Sequence, residues 1–193
     1  TEGFTVTWYR DGSIIYTGHN YPVKEEDIGH KIYAVVTSDN FTGEIKSSEI
    51  AIGKKNWGIT PDAPVIEVNE NVVSVKDPFP GVEYRLGSDG EFGSTTSFTV
   101  EYGKTYYVEA RYPETKTYNA SDIVKSNTVT TPKAPYKLTV TAGEGGTVSG
   151  IPEGVVREGD EVTLTAKPGD FDHKFVKWEV TGITLTEEAA KAN

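Results

Sequence analysis

The chain has 193 residues, no cysteine and no methionine, and a formal net charge of −10. The lack of cysteine excludes disulfides, thiol catalysis and zinc–thiolate sites, and the acidic balance argues against a nucleic-acid binder. Because a complete translation product begins with methionine, we expect an interior piece of a longer chain. The absence of a signal peptide or transmembrane run in such a piece carries no weight.

Three unlike stretches of alternating apolar and polar residues, separated by proline-containing linkers at 60–64 and 133–135, predict the fold class. That class is all-β, a tandem array of three small β modules. The predicted boundaries are 1–59, 60–132 and 133–193. A module of this size buries only about 60% of the surface that its unfolded chain exposes, so we expect contacts between neighbouring modules to matter.

The first module begins with a predicted hairpin, in which an Asp-Gly turn at 11–12 joins strands at 5–10 and 13–16. A third strand is predicted over 32–37. The Trp-Tyr-Arg-Asp-Gly hairpin at 8–12 and the Asp-Ile-Gly-His-Lys-Ile corner at 27–32 resemble the immunoglobulin-like sandwich repeats of bacterial surface proteins. The resemblance implies that Trp8 is a core residue. It also implies that the module is N-terminally incomplete, since no cysteine pair flanks Trp8 and the first strands of the sandwich would precede Thr1.

The second module shows six apolar alternating segments that predict strands. They are residues 65–68, 72–75, 82–86, 97–100, 106–112 and 124–131. The Gly-Val-Glu-Tyr-Arg segment at 81–85 and the Gly-Lys-Thr-Tyr-Tyr-Val-Glu-Ala-Arg segment at 103–111 resemble a fibronectin type III-like sandwich. The resemblance implies that Tyr106 is a corner tyrosine whose hydroxyl bonds back to the chain.

The third module carries Gly-Gly-x-Val at 145–148, Gly-x-x-Val-x-Leu-x-Ala-x-Pro at 159–168 and Phe-x-x-Trp at 175–178. This order closely resembles the divergent InlB B-repeat family of bacterial surface proteins, and it implies a small β module with an aromatic core. Alternation also predicts a strand over 136–142. We expect the module to be clipped at its C-terminal end, with a short helix over 186–192.

No constellation of residues indicates chemistry. The three histidines, His19, His30 and His173, lie in different modules or turns without metal-ligand spacing. Asp170 and Asp172 supply oxygen donors for calcium, but the spacing of an EF-hand loop is absent. The acidic run at 25–27 is interpreted as a solvated corner. The sequence therefore predicts no enzyme, no cofactor and no metal.

Taken together, these features predict a non-catalytic segment of a bacterial cell-surface or secreted multidomain protein. We expect it to be monomeric, to lie outside a Gram-positive cell attached to the wall, and to contact neighbouring domains of its own chain without inserting into the membrane. Its leading role is a stalk that holds a distal domain away from the wall. An alternative is a set of accessory, carbohydrate-binding modules of a large secreted glycosidase or protease, because a fold does not fix a function.

An adhesive role is the second hypothesis, with host glycan or extracellular-matrix protein as the partner. Trp57, Phe79 and Tyr107 are the candidate binding residues, because they are the aromatic residues least needed for a core and a sugar ring stacks on an aromatic face. The competing interpretation is that Trp57 packs at the junction between modules and that Tyr107 lies on an ordinary strand face.

Overall fold

Short strands in small antiparallel sheets make up the computed structural model, which describes residues 3–179. Helix in that range is confined to one 3-10 turn at Glu25–Asp27. The predicted all-β class is therefore confirmed. The chain divides into two units, Thr1–Thr131 and Pro132–Asn193. The finer division of the first unit into two modules stays a prediction, and the helix predicted over 186–192 lies outside the described residues.

The first unit opens with a five-stranded antiparallel sheet. Its strands are β1 (Phe4–Arg10), β2 (Ser13–Thr17), β3 (Lys31–Ser38), β4 (Phe41–Lys46) and β5 (Ile50–Ala51). The order is β2-β1-β3-β4, and β5 also pairs with β3. Asp11 and Gly12 both take positive φ values, 46° and 88°, as the tight turn of a twisted hairpin requires. The predicted hairpin is confirmed.

The register of this first sheet separates its two faces. Val6 lies opposite Val36, and Val36 lies opposite Ile45, so these side chains share one face. By the same alternation one whole face, here called the apolar face, collects ten residues: Phe4, Val6, Trp8, Tyr16, Ile32, Ala34, Val36, Phe41, Ile45 and Ile50. The opposite face carries threonines, Tyr9, Ile14, Tyr33, Lys46 and the buried Val35. Trp8, predicted to be core, is half-buried on the apolar face.

The rest of the first unit holds the main core. Its strands are β6 (Val65–Asn69), β7 (Val72–Lys76), β8 (Glu83–Leu86), β9 (Ser97–Thr99), β10 (Thr105–Tyr106), β11 (Val108–Arg111), β12 (Val124–Lys125) and β13 (Val129–Thr130). They form a β6-β7-β9 sheet, a β12-β11-β8 sheet and a β10-β13 pair. Side chains from the two larger sheets meet in one buried cluster, consisting of Ile66, Val73, Val75, Val82, Tyr84, Val108 and Ala110.

The continuous strand predicted over 106–112 is broken at Tyr107. The break occurs because β10 pairs with β13, whereas β11 pairs with β8 and β12, so the chain changes partners at this residue. Val108 and Ala110 are fully buried and belong to the core cluster. The corner tyrosine is confirmed. The Tyr106 hydroxyl donates to the Glu101 carbonyl at 3.3 Å and accepts from the Glu101 amide at 3.1 Å.

The second unit contains two short antiparallel pairs in its described part. β14 (Pro135–Tyr136) pairs with β16 (Val156–Arg157), and β15 (Gly146–Ser149) pairs with β17 (Thr165–Pro168). The strand predicted over 136–142 is wrong beyond its first residue, because the partner β16 offers only two residues to a ladder. The rings of Phe175 and Trp178 lie 5.2 Å apart and are half-buried, which places them in contact but not in a closed core.

Candidate functional site

Asp27, in the 3-10 turn that precedes β3, is a fully buried carboxylate, so the interpretation of residues 25–27 as a solvated corner is wrong for this residue. The Asp27 side chain is 0% exposed. Its carboxylate accepts hydrogen bonds from Arg10 Nη1 at 3.0 Å, from the Tyr21 hydroxyl at 2.9 Å and from the Lys24 amide at 2.7 Å. The two glutamates before it are exposed, as expected. Asp27 therefore ties the 3-10 turn to β1.

The titration of this carboxylate follows from its surroundings. Burial raises the pKa of Asp27, but the hydrogen bonds from Lys24, Tyr21 and Arg10 together outweigh burial and hold the pKa below its ordinary value of 3.8. Burial and the hydrogen bond to Asp27 raise the pKa of the Tyr21 phenol. The network is therefore ionic at neutral pH and serves as a structural anchor for the end of the first sheet.

Trp57 lies where the chain leaves the first sheet and meets the strands that follow. Its ring centroid is 5.0 Å from that of Tyr112 and 4.7 Å from that of Tyr118. The indole N–H donates to the Pro113 carbonyl at 3.1 Å. The ring is half-buried, and two tyrosine rings occupy part of the surface on which a sugar ring would stack.

The backbone around Trp57 is fixed as well. The Lys55 amide donates to the Thr117 carbonyl at 2.8 Å, and the Asn119 amide donates to the Lys55 carbonyl at 2.8 Å. An ion pair joins Lys54 Nζ to Glu114 Oε1 at 2.5 Å. We call residues 54–57 together with residues 112–119 the clamp. The clamp docks the connecting segment as a short parallel bridge onto the second part of the unit.

Phe79 is the candidate whose ring is most open. It is 54% exposed and borders an apolar groove of about 350 Å³. The groove is lined by Ala63, Pro64, Val65, Val75, Lys76, Asp77, Phe79 and Tyr84. The Phe79 amide donates to the Tyr84 hydroxyl at 2.8 Å, which holds the loop over the buried tyrosine. An open aromatic face beside a carboxylate and an ammonium is an arrangement that suits a sugar ring or a small apolar side chain.

Tyr107 lies at one end of a strip of charged side chains on the outer face of β11. Lys125 Nζ is 4.9 Å from the centre of its ring. Glu109, only 3% exposed, accepts from Arg85 Nε at 2.8 Å and pairs with Lys125 at 3.4 Å. The strip is thus internally paired, and Tyr107 lies in the break between β10 and β11 with its ring partly covered by Lys125.

Trp57, Phe79 and Tyr107 have separate sets of neighbours and form no common site among the described residues. Sequence reasoning missed the clamp partners Tyr112 and Tyr118, because only the fold brings them to a tryptophan more than fifty residues earlier. It also missed Phe92, whose ring lies between two arginines. The ring centre is 4.4 Å from the guanidinium carbon of Arg85 and 4.1 Å from that of Arg111.

Two of the histidines form pairs with aspartates. His30 Nδ1 is 2.5 Å from Asp11 Oδ2, and His173 Nδ1 is 2.6 Å from Asp170 Oδ1. The same Asp170 oxygen accepts the backbone amides of Asp172 and His173. These bonds, His173 first, hold the pKa of Asp170 below its ordinary value. Within residues 3–179 no three histidine, aspartate or glutamate side chains converge to hold a metal, and no helix has the length and apolar character to cross a membrane.

Residues 136–193 match the divergent InlB B-repeat domain, which confirms the resemblance for the third predicted module. That family is associated with bacterial surface proteins. No curated protein matches the chain. The immunoglobulin-like and fibronectin type III-like resemblances of the first two modules stay predictions.

Proposed function

We propose that this chain is a non-catalytic spacer segment of an extracellular, wall-attached bacterial protein, which holds a distal domain away from the cell. The family match over residues 136–193 supports a surface-associated repeat protein. The clamp is the observation that carries the spacer role, because a stalk needs stiff connections between its modules. Trp57 supplies that stiffness where the chain passes from β5 to β6.

The degree to which the clamp stiffens the chain can be judged from the length of the segment between β5 and β6. Thirteen residues separate the end of β5 from the start of β6. A flexible linker of that length has a root-mean-square end-to-end distance of about 20 Å and would let the first sheet swing freely. The clamp instead fixes the middle of this segment by ring contacts, an indole hydrogen bond, backbone hydrogen bonds and an ion pair.

A distance distribution across the clamp tests the proposal. The chain has no cysteine, so Thr42→Cys on the first sheet and Ser88→Cys beyond the clamp place two spin labels at exposed sites. Pulsed dipolar spectroscopy on labelled chain diluted with unlabelled chain excludes intermolecular distances. We expect one narrow distribution, which Trp57→Ala broadens because the segment is released. Phe79→Ala is the matched control, since it removes an aromatic ring of the same unit outside the clamp.

Two results would overturn the spacer role. One is a distribution in the parent chain that is as broad as that of Trp57→Ala. The other is a narrow distribution that Trp57→Ala leaves unchanged, which would show that the clamp is irrelevant to stiffness.

Adhesion is the second candidate, and the Phe79 groove favours it. The open ring and the adjoining Asp77 offer one stacking surface and one hydrogen-bond acceptor to a glycan. Binding of the full chain to arrays of glycans and extracellular-matrix proteins at physiological salt is the test. A saturable signal that Phe79→Ala abolishes and Tyr107→Ala leaves intact supports adhesion through this groove. A signal unaffected by Phe79→Ala counts against it.

A further inference from the structure

Two short connectors of the same pattern flank the sandwich formed by the β6-β7-β9 and β12-β11-β8 sheets. The chain enters it through residues 60–64, Thr-Pro-Asp-Ala-Pro, and leaves it through residues 131–135, Thr-Pro-Lys-Ala-Pro. Proline fixes its own φ and confines the residue before it to extended backbone, so a Thr-Pro-x-Ala-Pro connector is already close to its full length. Tension on the chain therefore acts on the strands of the sandwich before the connectors lengthen appreciably.

One side chain joins the strand by which the chain enters the sandwich to the segment by which it leaves. Asn127 lies between β12 and β13. Its carboxamide oxygen accepts from the Ile66 amide at 2.8 Å, and its nitrogen donates to the Ile66 carbonyl at 3.0 Å. Ile66 is the second residue of β6 and belongs to the buried cluster. We call this pair of hydrogen bonds the entry lock.

The residue at which the chain leaves the sandwich is fixed as well. Thr131 is 2% exposed, although it is the first residue of the second connector. Its hydroxyl donates to the Glu101 carbonyl at 2.9 Å and accepts from the Lys104 amide at 3.1 Å. Its amide donates to the Lys104 carbonyl at 2.9 Å. We call these bonds the exit lock. They attach the end of the sandwich to the turn that the Tyr106 hydroxyl also holds.

We propose that the sandwich is a tension-bearing unit, in which the entry lock and the exit lock resist a pull along the chain. The inference rests on the spacer role and goes beyond it, because a stiff spacer keeps its direction whereas a tension-bearing one also resists lengthwise unfolding. A pull through the two connectors acts on β6 and on the segment that carries Asn127. These two cannot separate until both hydrogen bonds of the entry lock break.

Resistance to a pull is a property of the unfolding rate, and this gives the locks a measurable effect. Forced unfolding is governed by the unfolding rate, and a native contact that is already broken in the transition state contributes fully to that rate. If the entry lock breaks first, its removal accelerates unfolding under force by the full worth of two hydrogen bonds. That amounts to at least tenfold.

Single-molecule force spectroscopy of the full chain is the experiment. Because the chain has no cysteine, Asp62→Cys and Lys133→Cys place one handle at an exposed position of each connector. Unfolding of residues 65–131 lengthens the chain by roughly 200 Å, which identifies the event. At constant force we expect Asn127→Ala to raise the rate of this event at least tenfold.

Ser126→Ala is the matched control. The Ser126 hydroxyl accepts from the Val108 amide at 2.9 Å, so the variant also removes a side-chain bond to a buried strand of the sandwich. Val108 belongs to β11, and the bond therefore does not join entry to exit. Urea unfolding gives the equilibrium loss of each variant. We expect Ser126→Ala to stay within about threefold of the parent rate under force, whatever its equilibrium loss.

Thr131→Val is a second variant that keeps the test decisive if Asn127→Ala folds poorly. It removes the hydroxyl of the exit lock and preserves the shape of the side chain, and we expect it to raise the rate under force at least threefold. Rates of Asn127→Ala and Thr131→Val equal to the parent rate would overturn the proposal. So would acceleration by Asn127→Ala and Ser126→Ala in the same proportion to their equilibrium losses. Neither result alters the distance distribution across the clamp, so failure here is distinguishable from failure of the spacer role.

Discussion

The first sheet is followed by a sandwich formed by the β6-β7-β9 and β12-β11-β8 sheets. Both regions are built from alternating apolar and polar segments, yet they bury very different numbers of apolar side chains. Between β6 and β13 the two larger sheets enclose seven buried apolar side chains. In residues 3–51 the buried apolar side chains are Ile32 and Val35. Alternation thus specifies which face of a strand is apolar, but the second layer that buries this face comes from elsewhere in the fold.

The first sheet uses a polar anchor where the sandwich uses a core. Asp27 is 0% exposed and gathers three donors. The sandwich also has a buried carboxylate, Glu109, but it lies on the outer face, where it pairs with Arg85. Loss of a core side chain and loss of the anchor should therefore affect the two regions differently.

The largest effect is expected from Tyr84→Ala, which empties the centre of the sandwich. Tyr84 is 2% exposed, so we expect a loss of about 4 kcal/mol of unfolding free energy from the transfer and cavity terms together. Phe41→Ala, at an aromatic residue that is 72% exposed, should cost less than about 1 kcal/mol. Urea unfolding followed by tryptophan fluorescence measures both. Equal losses would contradict the contrast between the two regions.

Asp27→Asn should cost about 3 kcal/mol at neutral pH, because it removes the buried charge that Arg10 contacts at 3.0 Å and leaves Arg10 with the exposed Glu26 as its ion-pair partner. The folded-state pKa of Asp27 lies below its ordinary 3.8, so this stabilisation is complete above that pH and is lost as the pH falls through the depressed value. The difference in unfolding free energy between the parent chain and the variant should therefore shrink in acid.

The control for the anchor is Glu26→Gln. Glu26 is exposed, and its carboxylate forms the longer ion pair with Arg10, at 3.5 Å. It should change stability by less than about 0.5 kcal/mol and leave the acid profile of the parent chain intact. A constant gap between the parent chain and Asp27→Asn from neutral pH to acid would show that the carboxylate is not the stabilising group.

Asn127→Ala tests the edge of the sandwich. The Asn127 side chain accepts from the Ile66 amide at 2.8 Å and donates to the Ile66 carbonyl at 3.0 Å, which mimics a strand partner. Because Ile66 is 3% exposed, we expect a loss of about 2 kcal/mol from two hydrogen bonds. Hydrogen exchange should show the Ile66 amide losing protection more than the Val73 amide does. Unchanged exchange of the Ile66 amide would show that packing, and not the hydrogen bond to Asn127, protects this edge of the sandwich.

Much of the fold could be predicted from the sequence where the signal is local. The Asp-Gly turn specifies the first hairpin, and the alternation after Gly103 puts Val108 and Ala110, both of them buried, on the same face of a strand. The break at Tyr107 could not be predicted, because it depends on which strand lies alongside. The length of β14 could not be predicted either, because an alternating segment forms a ladder only as long as its partner strand.

The candidate site depended even more on contacts distant in sequence. An acidic run looks the same whether it is solvated or buried, and the partners of Asp27 that decide its burial are donors on β1 and in the preceding loop. Trp57 was chosen by elimination as an aromatic residue not needed for a core, but its tyrosine partners come from a segment more than fifty residues away. Phe79 comes from the same elimination and has an open ring, and its role as a binding residue stays a prediction.

The smallest expected effect compares one hydroxyl in each region. Tyr106→Phe removes the bonds between the hydroxyl and the Glu101 backbone, and we expect a loss of about 1 kcal/mol. Tyr33→Phe on the first sheet keeps the stack on Tyr9, with ring centroids 4.9 Å apart, and the contact with Lys46, so it should change stability by less than about 0.5 kcal/mol. Urea midpoints at constant slope measure both. If Tyr33→Phe costs as much as Tyr106→Phe, the Tyr33 hydroxyl makes a hydrogen bond that stabilises the first sheet as much as the Tyr106 hydroxyl stabilises the sandwich. The first sheet would then depend less on the Asp27 anchor than the comparison implies.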